Sequence, residues 1–388
     1  MNRANSLRLI GALVWGAALA ASSAAQVRRT SAVDYLRVAF DTTQKATYVA
    51  VQNHRIPVRD PQTIQVKIEQ ADETRLRQTV LQPLSSQGIV TVDDGREWKQ
   101  LFPDTKRINV GPSPRANRVN TAASMALAAK NYSFEFGGAG EVAGRRTIQV
   151  VAKPNQRLLP TRTYWIDAET DVLLRIDLLF PNKQSIRFLD TLSITYAKAI
   201  ADSRFVLDPP PGYAVRQIPL PIPVKTAGDA QSLVRFAPPM KLRATMGFET
   251  TAIEAVGDEG ARMIAYRLSD GLVRLTIYTN LTSRVGNSSP FQSVNMTKGT
   301  LTYAIVGELM DDALADLLQR FLAAASATVM PLAELDAGIH LLHKDTIPLK
   351  GSTDDGQFSS VHPLGAEWLE MNLEKGIGDR KARTACCP

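Results

Sequence analysis

Cysteine is nearly absent from this chain: in 388 residues only Cys386 and Cys387 occur, adjacent and close to the end. Neighbouring cysteines bridge each other only under strain, so a disulfide framework is excluded and the domains must hold by apolar burial. Free thiols on a tail, or a bridge between chains, are what such a pair implies. Histidine is scarce too, with four in all. His54 and His362 stand alone, while His340 and His343 form an H-x-x-H pair. Zinc needs a third protein ligand and a supporting shell, and no H-E-x-x-H frame surrounds the pair, so it reads as chance spacing. No metal and no other cofactor is expected. The signatures of nucleophilic catalysis are missing as well: there is no G-x-S-x-G elbow, no S-x-x-K, and no cysteine outside the tail. Gly137-Gly138-Ala139-Gly140 lacks the spacing of a phosphate loop and precedes a strand, so it reads as a turn. No catalytic residue is assigned, and the chain is not expected to be an enzyme.

Charge of one sign is not concentrated anywhere. The net charge of +7 is spread along the sequence, which favours a solvated basic surface over a nucleic-acid site. The apolar fraction of 44% and charged fraction of 21% are those of a globular protein, and the length suits two domains. The first 25 residues read as a signal peptide. Arg3 and Arg8 form the positive region, Leu9 to Ala21 the apolar region, and Ser23-Ala24-Ala25 the cleavage site. Cleavage near Ala25 with no cysteine following implies an exported protein without a lipid anchor. No later run is long and apolar enough for a membrane helix.

What the sequence does have is strands. From Glu141 to Tyr196, Ile148, Val150 and Ala152 alternate with polar neighbours, as do Tyr164 and Ile166, then Val172, Leu174, Ile176 and Leu178, then Ile186 and Phe188. A period of two with one apolar face predicts half-buried antiparallel strands, and Asp167-Ala168-Glu169-Thr170 predicts a tight turn between two of them. Upstream, Ala32 to Gln44 has Tyr35, Leu36, Ala39 and Phe40 at helical spacing. Strands are predicted at Thr47–Val51, Thr63–Ile68, Arg75–Leu81, Gly88–Val92, Glu97–Phe102 and Lys106–Val110, with a hairpin at Asp93-Asp94-Gly95. Ala116–Asn131 is alanine-rich and predicts a helix. Tyr132, Phe134 and Phe136 follow on one face of a strand and, with Trp165, are the candidate apolar ligand face. The bland alternative is that they are sheet core under a helix.

Asp208 to Pro211, with Pro219, Pro221 and Pro223, predicts a stiff linker. Beyond it, strands are predicted at Met263–Leu268, Leu272–Tyr278 and Gly299–Gly307, and an amphipathic helix at Met310–Ala325 with Asp311 and Asp312 at its positive end. The expected organisation is a signal peptide over 1–25, a sheet domain over 26–207, a proline-rich linker over 208–226, a small α+β domain over 227–328 and an unassigned tail over 329–388.

The order of early helix, Val92-Asp93-Asp94-Gly95 hairpin, alanine-rich helix and Glu141-Val142-Ala143-Gly144 block resembles the RseB/MucB family of periplasmic regulators. So do Tyr164-Trp165-Ile166-Asp167 with Thr170 and Leu173-Leu174-Arg175, Phe205 with Pro209 to Tyr213, and, later, Tyr266 to Leu275 and Ala304 to Leu309. The N-terminal domain of that family is similar to the lipoprotein carriers LolA and LolB. The resemblance implies an α+β protein with an N-terminal antiparallel half-barrel plugged by helices and a smaller C-terminal α+β domain. It implies a non-enzymatic binding protein that stays in the periplasm, takes up acyl chains of lipids or lipoproteins and contacts the periplasmic segment of a membrane anti-sigma factor in an envelope stress response. The alternative is a periplasmic lipoprotein or lipid carrier of the LolA type, which would need only the first domain.

Overall fold

The computed structural model describes residues 31–55, 63–117, 121–234, 236, 238–240, 245–260, 262–281, 293–298 and 301–326. The expected leader, the His340–His343 pair, His362 and the tail with Cys386 and Cys387 lie outside the described residues. An initial helix, α1 (Ala32–Lys45), precedes six strands: β1 (Tyr48–Arg55), β2 (Thr63–Gln70), β3 (Leu76–Gln82), β4 (Val90–Asp93), β5 (Glu97–Phe102) and β6 (Arg107–Pro112). A second helix, α2 (Thr121–Asn131), runs directly into β7 (Tyr132–Val142), followed by β8 (Arg145–Pro154), β9 (Thr161–Asp167), β10 (Leu173–Leu179), β11 (Ser185–Tyr196) and the short β12 (Ala214–Gln217). These twelve strands form one open sheet in the order β12-β6-β5-β4-β3-β2-β1-β11-β10-β9-β8-β7. All neighbours are antiparallel except β12, which runs parallel to β6.

A sheet with one apolar face needs a cover, and α1 supplies it. Ser31 caps the helix by accepting from Asp34 N–H at 3.2 Å. Tyr35, Leu36, Ala39, Phe40 and Thr43 form the buried stripe. That stripe packs with Val66, Val80, Val150, Ala152, Tyr164, Ile166, Ile176 and Leu178 into the main core. At its C-terminus, Gln70 Nε2 donates to the carbonyls of Thr43 (2.6 Å) and Ala46 (3.0 Å), satisfying groups that a helix end leaves orphaned. Thr43 Oγ1 in turn accepts from Leu173 N–H at 2.8 Å, pinning the helix to β10.

The second domain adds β13 (Ile222–Pro223), α3 (Ala227–Val234), β14 (Glu249–Val256), β15 (Met263–Ser269), β16 (Arg274–Leu281), β17 (Ser293–Lys298), β18 (Leu301–Gly307) and α4 (Asp311–Ser326). Its sheet has the order β13-β14-β15-β16-β18-β17, and Leu314, Leu317, Leu318 and Phe321 of α4 pack on it around Tyr266 and Ile305. The architecture is therefore α+β, an open half-barrel plugged by helices beside a smaller sheet.

Three expectations change. The stretch 208–226, expected to be a linker, holds a short strand of each sheet: Ala214–Gln217 extends the large one and Ile222–Pro223 the small one. Proline survives there because an edge strand has a side that needs no ladder donor. The predicted helix Ala116–Asn131 is a 3-10 turn over Pro114–Asn117 and then α2. Val172 and Leu174 do not share a face with Ile176 and Leu178. The ladder shifts register between Leu173 and Arg175, and such a bulge moves what precedes it to the other face. Val172 and Leu174 accordingly join Val142 in an outer cluster.

Candidate binding face

Tyr132, Phe134 and Phe136 pair with Pro154, Ala152 and Val150 of β8 and stand on the face that α1 covers. They grade from core to rim. Tyr132 is 3% exposed, Phe134 is half-buried, and Phe136 is 46% exposed at the side of α1. Tyr35 of α1 meets the Phe136 ring edge-on at 5.9 Å, and Phe40 meets Tyr164 edge-on at 5.6 Å. Trp165 is elsewhere. Successive side chains of a strand point to opposite faces, and Tyr164 takes the inner one. On the outer face Trp165 donates to Asp177 at 2.8 Å, lies 5.2 Å from the Arg175 guanidinium and rests on Gly140. The structure therefore brings together three of the four candidates. Tyr35, Phe40 and Tyr164, whose helical spacing and strand alternation placed them in α1 and β9, were not assigned to this face, although their rings pack against it.

The inner face is not uniformly apolar. Along β1, Tyr48, Ala50, Gln52 and His54 all point inward and are buried. Gln52 donates to Thr191 at 3.1 Å and its carbonyl lies 3.2 Å from His54 Nε2. Burial pushes the His54 imidazole down to about 4, so it is neutral at ordinary pH. Farther along the sheet, Gln78, Thr91, Gln100 and Asn109 are register neighbours on four adjacent strands and are also buried.

Where the two sheets meet, charge is taken fully out of water. Arg162 of β9 is 0% exposed and donates to Glu308, just beyond β18, at 3.0 Å. Tyr132 donates to Asp270 Oδ2 at 2.6 Å. Asn131 donates to the carbonyls of Gly247 and Asp270 at 3.0 and 2.9 Å. Burial raises the Asp270 carboxyl above its ordinary range, against the hydrogen bonds it accepts from Tyr132 and from the backbone of Val273 and Leu272. Leu272 and Val306 reach into the core of the large sheet, and Leu159 reaches into that of the small one. Among the described residues no group of three or more His, Cys, Asp or Glu could hold a metal ion, and no helix is long and apolar enough to cross a membrane.

An open half-barrel with a helix-covered inner face, joined to a smaller α+β domain, defines the fold class of this chain. Residues 45–207 match the model of the MucB/RseB N-terminal domain, and the resemblance of the chain to the MucB/RseB family stands on that match. The fold is similar to that of MucB in complex with MucA(peri), with a TM-score of 0.51 and 15% identity over 74% of this chain and 96% of that one. It is likewise similar to the Pseudomonas aeruginosa MucA/MucB complex, with a TM-score of 0.50 and 15% identity over the same shares. No curated protein matches the sequence.

Proposed function

We propose that this is a periplasmic, non-enzymatic regulator of the MucB type: it binds the periplasmic segment of an anti-sigma factor and takes up an acyl chain of a lipid or lipoprotein on its inner face. The observation that carries the first half is the likeness of both domains, in order, to MucB bound to MucA(peri), along nearly all of that chain. The second half is supported by the apolar side chains of the inner face, their cover by α1 and the aromatic row ending at the half-exposed Phe136. Burying methylene groups contributes about 0.8 kcal/mol each, so an acyl chain needs no polar anchor there. A pure carrier would need only the first domain, and the buried contacts between the domains argue against that simpler reading.

The test is titration of the purified chain, lacking its leader, with a synthetic periplasmic segment of an anti-sigma factor encoded beside its gene. Calorimetric binding supports the regulator, and no binding to any such segment sinks it. For the acyl chain, Phe136→Asp puts a charge at the rim of the face. It is expected to weaken binding of a fluorescent fatty acid at least about tenfold, a loss of roughly 1.4 kcal/mol, while leaving the peptide titration unchanged. Equal fatty-acid binding by both proteins would remove Phe136 from the site.

A further inference from the structure

The second domain meets α2 at Gly247, beside the last residue of the helix, and along the turn Ser269 to Leu272 between β15 and β16, which packs on the helix backbone itself. Gly271 sits there at φ +103°, and a methyl group on it would lie 2.3 Å from Ala128 N and 2.5 Å from Ser124 O of α2. Only glycine allows both that backbone angle and that approach. Asp270 is fully buried, with Oδ1 accepting from the N–H groups of Leu272 and Val273 and Oδ2 from Tyr132. Asn131, the last residue of α2, donates to the main chain of Gly247 and Asp270 and, within its own helix, to the carbonyl of Leu127.

The helix held in this way has little hold of its own. Of the eleven residues of α2 only Met125 and Ala128 are buried. A helix of that length is marginal without tertiary contacts. Yet α2 packs against α1, the cover of the inner face, and continues without a break into Tyr132 and the aromatic row.

We propose that the Ser269–Leu272 turn is a catch on the helix cover. Docked, it holds α2 against α1 over the inner face; released, it frees α2. Occupation of the inner face and docking of the second domain then form one coupled equilibrium, and thermodynamic linkage makes that coupling reciprocal. The proposal rests on the acyl-chain reading only for the identity of the occupant.

Hydrogen exchange of the full chain without its leader, followed by mass spectrometry, tests it in Asn131→Ala and Gly271→Ala, with cis-parinaric acid as the acyl probe. Asn131→Ala removes the bonds from the α2 side and leaves the turn's own sequence intact, so it decides the matter if Gly271→Ala does not fold. The expected result is faster exchange across 121–131 and probe binding tighter by about fivefold or more. In the unaltered protein the probe is expected to speed exchange at 269–273. Exchange of α2 that stays as slow as in the unaltered protein overturns the catch. So does an α2 that loosens while the probe binds with unchanged affinity. A loosened α2 in a protein that binds no probe, altered or not, upholds the catch and sinks the acyl-chain reading instead.

Discussion

Arg162 carries a full charge into the seam between the sheets, where Glu308 at 3.0 Å is its counter-charge. At such depth the pairing offsets desolvation more than it adds stability, and the cost appears when one partner is removed. Arg162→Met is expected to destabilise by about 3–5 kcal/mol in urea unfolding, and Arg162→Met with Glu308→Leu to recover most of that. His54 carries a different signature. Its unfolded imidazole binds a proton below about pH 6.5, whereas the buried ring resists until about pH 4, so falling pH favours the unfolded chain. Its share of stability is complete above pH 6.5, and about 3 kcal/mol of it is lost on descending to pH 4. Urea midpoints at both pH values should diverge less in His54→Gln than in the unaltered protein; equal divergence would place the proton elsewhere.

Among elements, β7 shows how much a missing Cβ can decide. Gly140 lets the Trp165 ring lie on the strand, and a methyl there would come within 2.3 Å of the ring. Gly140→Ala is expected to cost about 1–3 kcal/mol, read as a lowered Tm. Most strands were legible because one face is wet: the alternation in Ile148, Val150 and Ala152 survives into β8, and that in Tyr164 and Ile166 into β9. Trp165 was misplaced on the ligand face because aromatic character suggested a partner that strand parity forbids. The bulge at Leu173 was invisible because both faces of β10 there are apolar, so a one-residue slip leaves the pattern looking intact. The strands Glu249–Val256 and Ser293–Lys298 and the helix Ala227–Val234 also escaped notice. The first two mix small, polar and charged residues, and the helix is only eight residues long. The seam could not be read at all, since Arg162 meets Glu308 across 146 positions of sequence.

At the scale of the molecule, the segment expected to separate the domains belongs to both sheets. A fragment ending after residue 207 leaves the β6 edge bare, whereas one ending after residue 218 retains β12 along it. Bare edges invite pairing between chains. Light scattering is therefore expected to find more self-association in the shorter fragment than in the longer, and equal behaviour would mean that β12 shields nothing. The strand order has a consequence for biogenesis. β1 to β6 are neighbours in sequence and in space, and so are β7 to β11, but within the sheet the two wings join only where β1 pairs with β11, from Tyr48–Tyr196 to His54–Leu189. The early helix rests on β7 to β10, which come later in the chain. A polypeptide that emerges N-terminus first has β1 to β6 in hand long before β7 to β10, on which its lid rests, are made. During that interval the core side chains Val66, Val80 and Phe102 lack the partners that later strands bring. The vulnerable period in the life of this protein is the time needed to make the second wing, and that is when a holding chaperone would matter most.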